Sequence, residues 1–123
     1  EWGKITVLFI EYPKCSTCKK AKAWLEENGF AFTDRHIVQQ NPTAEELALW
    51  QRKSGLPLKR FFNVSGLLYK SLALKDKLPQ MTEAEQLALL SSHGMLVKRP
   101  ILVDGERVLV GFKASEWEAA LKK

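Results

Sequence analysis

The sequence predicts an α/β fold with a mixed four-stranded sheet, ordered as βαβ, a helical insertion and then ββα. Three observations carry this prediction. An apolar run at Ile5–Ile10 is followed by a helical pattern and a second extended stretch, so the chain opens with a strand, a helix and a strand. The middle third holds repeated helix-start signals. Near the C-terminus, Asp104-Gly105 separates two apolar runs, which is a strong hairpin signal.

Local patterns predict the opening βαβ unit. Ile5–Ile10 is continuous, rich in branched residues and bounded by Pro13, as is typical of a buried strand. From Thr17 to Asn28, apolar residues recur on one helical face, and Gly29 follows where helices commonly end. Phe30 to Val38 begins with alternation, which predicts the second strand. Such units cross over right-handed, so these two strands are expected to be parallel.

Two capping boxes, each a Thr followed three residues later by a Glu, predict helix starts in the insertion. Thr43 with Glu46 opens a helix that Gly55 and Pro57 end. Two short helices are expected next, over Leu58–Asn63 and Leu67–Leu74. Thr82 with Glu85 opens the last helix of the insertion, which Gly94 closes.

The last third predicts a hairpin and a helix. Ile101–Val103 and Val108–Val110 are the two expected hairpin strands, and Ala114–Leu121 is an amphipathic helix. The complete order is that of a thioredoxin-type architecture. We expect one domain over residues 4–122, with the helical insertion at about 43–95.

The composition excludes several classes of protein. The 123 residues are 46% hydrophobic and 27% charged with a net charge of +5, which fits one globular domain. No apolar run is long enough to cross a bilayer, and the first one ends at Glu11 without the pattern of a signal peptide. The basic residues are scattered and do not alternate with aromatic residues. We therefore expect a cytoplasmic protein that binds neither a membrane nor nucleic acid directly.

The two cysteines, Cys15 and Cys18, lie where the first strand turns into the first helix. Amide donors and the positive end of the dipole at a helix N-terminus favour a thiolate, and Lys14, Lys19 and Lys20 add positive charge. A thiolate is the nucleophile in disulfide exchange. We therefore predict that Cys15 is the attacking thiol and that Cys18, one turn behind, resolves the adduct.

Two other interpretations of the cysteines remain open. They could be reduced thiols without a special role. They could also bind zinc together with His36 and His93, although these histidines lack the spacing of zinc ligands.

Pro100 is the second informative residue, because a cis proline begins the strand that faces the redox motif in a thioredoxin-type fold. We predict that the Arg99–Pro100 peptide is cis and that Arg99 lies beside Cys15. Its guanidinium could then stabilise the thiolate and hold an oxyanion in a bidentate manner. A solvated arginine at a strand start is the alternative.

The chain resembles the arsenate reductase (ArsC) family and its Spx branch from Ile5 to about Leu121. This resemblance implies a thioredoxin-like fold with a helical insertion. The segments that carry it are Tyr12-Pro13-Lys14-Cys15-Ser16-Thr17-Cys18-Lys19-Lys20-Ala21, Trp24-Leu25-Glu26-Glu27, Asn41-Pro42-Thr43, Glu45-Glu46-Leu47, Phe61-Phe62-Asn63, Ser65-Gly66, Lys98-Arg99-Pro100-Ile101-Leu102-Val103 and Val110-Gly111-Phe112-Lys113.

The resemblance implies roles for individual residues. Glutaredoxin-dependent arsenate reductases use one cysteine, matched by Cys15, and three arginines that hold arsenate, of which Arg99 matches one. Asn63 and Lys113 stand at the other two positions, and a lysine keeps the charge of arginine but not its planar fork. The residues expected to bind an oxyanion are Arg99, Lys113, Lys19 and Asn63, with Arg60 as a candidate to compensate for Asn63.

The resemblance also implies the partners. Cys18 replaces a usual serine and permits an internal disulfide, so the expected reductant is thioredoxin, with glutathione and glutaredoxin as the alternative. No bound cofactor is expected. The substrate would be a small oxyanion or a disulfide. Spx proteins instead use the same motif as a redox switch and bind the C-terminal domain of the RNA polymerase α-subunit. The sequence therefore leaves two hypotheses, a reductase-like enzyme and a redox-switch regulator.

Overall fold

A computed structural model describes residues 7–122. The predicted domain start at Lys4 and the first residues of the predicted strand, Ile5 and Thr6, lie outside the described residues. The strands are Val7–Glu11 (β1), Phe32–His36 (β2), Ile101–Asp104 (β3) and Arg107–Val110 (β4), and the α-helices are Ser16–Glu27 (α1), Ala44–Ser54 (α2), Leu67–Ser71 (α3), Leu74–Lys77 (α4), Glu83–Ser92 (α5) and Ala114–Leu121 (α6). Within residues 7–122, no helix has both the length and the apolar character needed to span a bilayer.

The four strands form one mixed sheet in the order β2-β1-β3-β4. β1 and β2 are parallel, whereas β3 is antiparallel to both β1 and β4. The parallel pair comes from the βαβ unit and the pair of β3 and β4 from the predicted hairpin, so the predicted mixed sheet is confirmed. Asp104 ends β3 and pairs with Arg107, however, so the turn residues are Gly105 and Glu106 rather than Asp104 and Gly105. The sheet places the end of β1, and therefore the turn into α1, next to the start of β3.

The two faces of the sheet carry separate apolar layers, because side chains alternate along each strand. Val7 and Phe9 of β1 and Leu102 of β3 pack with Trp117 under α1 and α6. On the opposite face, Ile10 belongs to the larger core, together with the buried residues of the insertion. The insertion therefore packs against this second face of the sheet.

Three predicted elements differ from the structure. The expected helix over Leu67–Leu74 is broken into α3 and α4, because Ala73 has a left-handed backbone with φ of 54°. The expected helix over Leu58–Asn63 is a single 3-10 turn, Leu58–Phe61. The second strand covers Phe32–His36 rather than all of Phe30 to Val38.

Both capping boxes are present, and the first also ties the insertion to the sheet. Glu46 accepts a hydrogen bond from the Thr43 amide and a bidentate pair of 2.8 Å bonds from Arg35 of β2. α5 ends at Ser92, and His93 is its C-cap. Gly94 follows in a 3-10 turn against the Ile37 carbonyl, where a Cβ would collide.

A second connection joins the insertion to the segment before β3. Phe62 and Val97 form an isolated β-bridge, and the Asn63 amide donates to the Leu96 carbonyl at 2.7 Å. The Lys98 amide donates to the Phe61 carbonyl at 2.8 Å. This pairing sets the 3-10 turn of the insertion beside the residues that lead into β3.

Candidate active site

Cys15 begins α1 as its N-cap residue. A turn between β1 and α1 is closed by a 2.9 Å hydrogen bond from the Cys15 amide to the Tyr12 carbonyl. The Cys15 Sγ atom then accepts a hydrogen bond from the Cys18 amide at 3.3 Å. An oxygen of Ser, Thr, Asp or Asn usually takes this place. A sulfur that caps a helix lies among amide donors and at the positive end of the dipole, and both stabilise its thiolate form.

Cys15 and Cys18 differ in exposure. Cys15 is half-buried, whereas Cys18 is 0% exposed and faces the core from the first turn of α1. Burial raises the pKa of Cys18 to about 12, and the neighbouring Cys15 adds to the rise. Both thiols are free in the structure. Of the two sulfur atoms, the one of Cys15 is therefore the more accessible to solvent and solutes.

The pKa of Cys15 is shifted in the opposite direction. Burial raises it, but hydrogen bonds from the Cys18 thiol and the Cys18 backbone, together with the hydrogen bond and charge of Arg99, outweigh burial. The pKa of Cys15 consequently lies below its usual value of 9.0. The neighbouring pair thus consists of one activated thiol and one suppressed thiol.

Arg99 lies where the sequence predicted, beside Cys15. The Arg99–Pro100 peptide is cis, as predicted, and the buried Pro100 accepts a 2.8 Å hydrogen bond from the Gly111 amide through its carbonyl. The guanidinium stacks on the Tyr12 ring, 5.2 Å from the ring centroid, and donates weakly to the Met95 carbonyl at 3.4 Å.

One donor of Arg99 is unused. Its Nε atom is buried and has no hydrogen-bond partner among residues 7–122. Unpaired buried donors are uncommon in folded proteins, since each costs free energy. The guanidinium beside Cys15 therefore keeps one buried donor that the rest of residues 7–122 does not satisfy.

A cleft of about 880 Å³ opens in front of Cys15. Four segments of the chain form it: the start of α1, the insertion from the 3-10 turn to α3, the segment before β3, and the end of β4 with the start of α6. The cationic lining residues are Arg60, Lys98, Arg99 and Lys113, and Glu116 is the acidic one. The excess of positive charge favours an anionic occupant.

Asn63 and Lys113 line this cleft together with Cys15 and Arg99. Gly66 lets the Asn63 side chain lie close, because a Cβ on Gly66 would come within 2.7 Å of the Asn63 Nδ2 atom. The Lys113 side chain is 76% exposed, and its Nζ lies 4.0 Å from the Glu116 carboxylate. Its charge is therefore shared with an acidic neighbour.

Lys19, the remaining predicted oxyanion-binding residue, lines a different depression on the β2 side of α1. Glu11, Lys22 and Asp34 share that depression. Lys22 forms a 2.9 Å ion pair with Asp34 and lies 3.8 Å from Glu11. Burial, and after it Asp34, raises the pKa of Glu11 to about 7. The structure thus separates Lys19 from the cleft that holds Cys15.

The zinc interpretation has no geometric support within residues 7–122, where no group of three metal-binding side chains occurs. His36 ends β2, and its Nδ1 accepts hydrogen bonds from the Val38 and Gln39 amides at 3.1 Å each.

Lys98 is the cationic cleft residue whose role the sequence did not indicate. It reaches the cleft because its backbone pairs with Phe61 of the insertion. Arg60, considered only as a compensating residue, is brought to the cleft by the same pairing. No local pattern predicts a contact between segments so far apart along the chain.

Comparisons with known proteins agree with this fold. The protein YusI of Bacillus subtilis (strain 168) is 54% identical, with 93% of this chain and 97% of YusI covered. The regulatory protein MgsR of the same organism is 32% identical, with 94% and 90% covered. A solved structure from Bacteroides fragilis, described as ArsC family related, is 57% identical with a TM-score of 0.90 and covers 95% and 98%.

A structure described as a possible arsenate reductase from Streptococcus mutans UA159 is 41% identical, with a TM-score of 0.86 and coverage of 95% and 99%. These neighbours identify the architecture as thioredoxin-like. The model of the ArsC family matches residues 10–120, which include Cys15, Arg99 and every segment of the cleft. The chain is therefore a member of the ArsC family.

Proposed function

We propose that the protein is a thiol-dependent oxidoreductase of the arsenate-reductase-like kind, with Cys15 as nucleophile and Cys18 as resolving thiol. The observation that carries the proposal is the position of Cys15. Its sulfur caps α1, lies half-exposed in a cationic cleft, and has a lowered pKa. The buried thiol of Cys18 lies one helical turn away in α1.

The reaction starts when the Cys15 thiolate attacks an oxidised centre and forms a covalent adduct. With a disulfide substrate, one sulfur bonds to Cys15 and the other leaves as a thiolate. Cys18, deprotonated, then attacks the Cys15 sulfur, forms the Cys15–Cys18 disulfide and releases the reduced substrate. An external thiol returns the two electrons. With arsenate, the Cys15 sulfur bonds to arsenic and one arsenate oxygen leaves as water. Attack by Cys18 on the Cys15 sulfur then breaks the sulfur–arsenic bond, and its electron pair stays on arsenic, which leaves as arsenite.

Arg99 supports the first step in two ways. It stabilises the Cys15 thiolate, and it lines the cleft, where its guanidinium can donate to an oxygen or sulfur that gains charge during attack. Arg60 and Lys98 supply further positive charge along the cleft. Asn63 and Lys113 do not supply the two additional guanidinium forks of an arsenate site. The cleft therefore suits a disulfide at least as well as a tetrahedral oxyanion.

Turnover with two reductant systems tests the proposal. Arsenate and a small disulfide are each offered with thioredoxin and its reductase, or with glutathione and glutaredoxin. We expect the wild-type protein to turn over at least one substrate, and Cys15→Ser to turn over neither. Cys18→Ser should lose turnover that depends on thioredoxin, since it forms no internal disulfide. Absence of wild-type turnover with both substrates would refute the proposal.

A second candidate is a redox-switch regulator that binds the RNA polymerase α-subunit. The observation that favours it is the 32% identity to the regulatory protein MgsR over 94% of the chain. The test is binding to purified α-subunit by the reduced wild type, the oxidised wild type and Cys15→Ser. A switch would be supported if the affinity for the α-subunit differs between reduced and oxidised wild type and does not respond to oxidation in Cys15→Ser. Equal binding in all forms, or none, would contradict it.

A further inference from the structure

Exposed apolar side chains of the insertion lie at the cleft in front of Cys15. Leu67 is 86% exposed, and Met95 is 37% exposed, and both line the cleft. Val64, 46% exposed, lies next to the lining residues Asn63 and Ser65. Clustered exposed apolar groups with a polar surround commonly mark an interaction site.

This cluster is local rather than general. In the described part of the chain, the other large apolar side chains with comparable exposure are Val38 and Leu49, and neither lines the cleft. Leu67 projects from the first position of α3, at the outer rim. A small ligand deep in the cleft would leave such a side chain in water, whereas a polypeptide that crosses the rim would cover it.

The dimensions and charge of the cleft indicate which class of molecule it binds. A volume of about 880 Å³ lies at the upper end of ordinary ligand pockets, and a tetrahedral oxyanion would fill little of it. Arg60, Lys98 and Lys113 stand along the walls against the one carboxylate of Glu116. Charge complementarity therefore selects an occupant that is acidic as well as apolar.

We propose that the cleft binds an acidic, apolar peptide segment of another protein, and that the substrate bond is a disulfide carried by that segment. The inference rests on the proposed function and names the substrate class for the same site. Leu67 and Met95 contact the apolar side chains of the segment, and the cations on the walls pair with its carboxylates.

The chemistry on such a segment is thiol–disulfide exchange. The Cys15 thiolate bonds to the cysteine sulfur of the segment, and the former partner sulfur leaves as a thiolate that takes a proton from water. Cys18 then gives up its proton and bonds to Cys15, which releases the segment as a thiol. Cys15 and Cys18 are oxidised by two electrons, and the segment disulfide is reduced by two. A thioredoxin-type dithiol or glutathione completes the cycle.

Synthetic peptides with one cysteine, blocked as a mixed disulfide with 2-thiopyridine, test the inference. Three peptides of equal length are compared: acidic and apolar, basic and apolar, and acidic with serines in place of the apolar residues. Cys18→Ser is used so that release of thiopyridone reports the attack of Cys15 alone. Each rate is divided by the rate with 2,2′-dithiodipyridine, a small neutral disulfide.

We expect the acidic apolar peptide to react about tenfold faster than either other peptide, with the advantage over the basic peptide falling as salt rises. In the same background, Leu67→Ser should remove most of the apolar preference and Lys98→Glu most of the acidic preference. Leu49→Ser and Lys75→Glu are the matched controls, because both residues lie outside the cleft, and they should keep both preferences.

Two results would overturn the inference, and they are distinguishable. If Cys15 attacks 2,2′-dithiodipyridine but the three peptides react alike, or the basic peptide reacts fastest, the peptide site is wrong and the proposed function stands. If Cys15 attacks none of the four disulfides, the proposed function falls as well. Circular dichroism of every variant establishes that a lost preference is not a lost fold.

Discussion

The suppressed thiol of Cys18 predicts an unusual pH dependence for the second step of catalysis. At pH 7, a thiol with a pKa of about 12 is ionised in about one molecule in 10⁵. Burial is the largest cause of the raised pKa, and it persists after Cys15 has formed a mixed disulfide and lost its negative charge. The pKa of Cys18 should therefore remain above 9.0 while Cys18 attacks the Cys15 sulfur.

The size of the effect follows from the fraction of thiolate, to which the rate of attack is proportional. A buried thiol of this kind gains several hundredfold to about a thousandfold in thiolate between about pH 7 and about pH 10. A thiol with the ordinary pKa of 9.0 gains only about ninetyfold over the same range, because it is almost fully ionised at the upper end.

The assay is stopped-flow mixing of the reduced protein with 2,2′-dithiodipyridine. The first thiopyridone is released when Cys15 attacks the reagent and forms a mixed disulfide with its other half. The second is released when Cys18 attacks the Cys15 sulfur of this mixed disulfide. We expect the rate of the second phase to keep rising about tenfold per pH unit to about pH 10. Cys18→Ser should lose the second phase and keep the first. A second phase that levels off near pH 9 would refute the argument that burial suppresses Cys18.

Two further predictions concern charged neighbours. Arg99→Gln should raise the pKa of Cys15, because it removes a hydrogen bond and a positive charge, so the pH profile of the first phase should move to higher pH. Arg99→Lys should move this profile less, since it keeps the charge. An unchanged profile in Arg99→Gln would contradict the role of Arg99. Glu11→Gln should flatten the pH dependence of stability in urea unfolding. The folded protein keeps Glu11 protonated up to about pH 7, whereas the unfolded chain loses that proton near 4.5, so wild-type stability should fall by at most about 3 kcal/mol as pH rises between these values. The variant should lack this fall, and an equal fall in both proteins would contradict it.

The sequence predicted those parts of the fold that local chemistry controls. The Thr43 and Thr82 boxes cap their helices through contacts within one turn, and the predicted hairpin closes locally, with Gly105 and Glu106 as its turn. The break at Ala73 could not be predicted in this way, because alanine is the strongest helix former. Its left-handed backbone allows the chain to change direction between α3 and α4, so that Leu74 is buried in the insertion core.

The sequence predicted those site residues whose positions follow from the order of the strands in the sheet. It did not predict those that reach the site through pairing between distant segments. Cys15 and Arg99 meet because β1 and β3 are neighbours in the sheet. Lys19 was expected near the cleft because it is close to Cys15 in sequence, but its side chain lies on the β2 side of α1. Lys98 and Arg60 reach the cleft through the pairing of Phe62 with Val97, which has no local signal.

The burial of Cys18 also bears on how the oxidised protein returns to its reduced state. An external thiol attacks the more accessible sulfur, which belongs to Cys15, and the leaving group is then Cys18. Thiols of high pKa are poor leaving groups, and attack on the buried sulfur, which would expel the activated Cys15, is sterically blocked. The high pKa of Cys18 therefore slows both directions at neutral pH: formation of the disulfide, because the thiolate is scarce, and its reduction, because Cys18 leaves poorly. A reductase can sustain turnover under this constraint only if its reductant docks in the cleft and supplies a proton to Cys18, whereas a switch needs only that the disulfide persist. The rate of reduction by thioredoxin, measured against that of a small dithiol, consequently separates the two functions that share Cys15 chemistry.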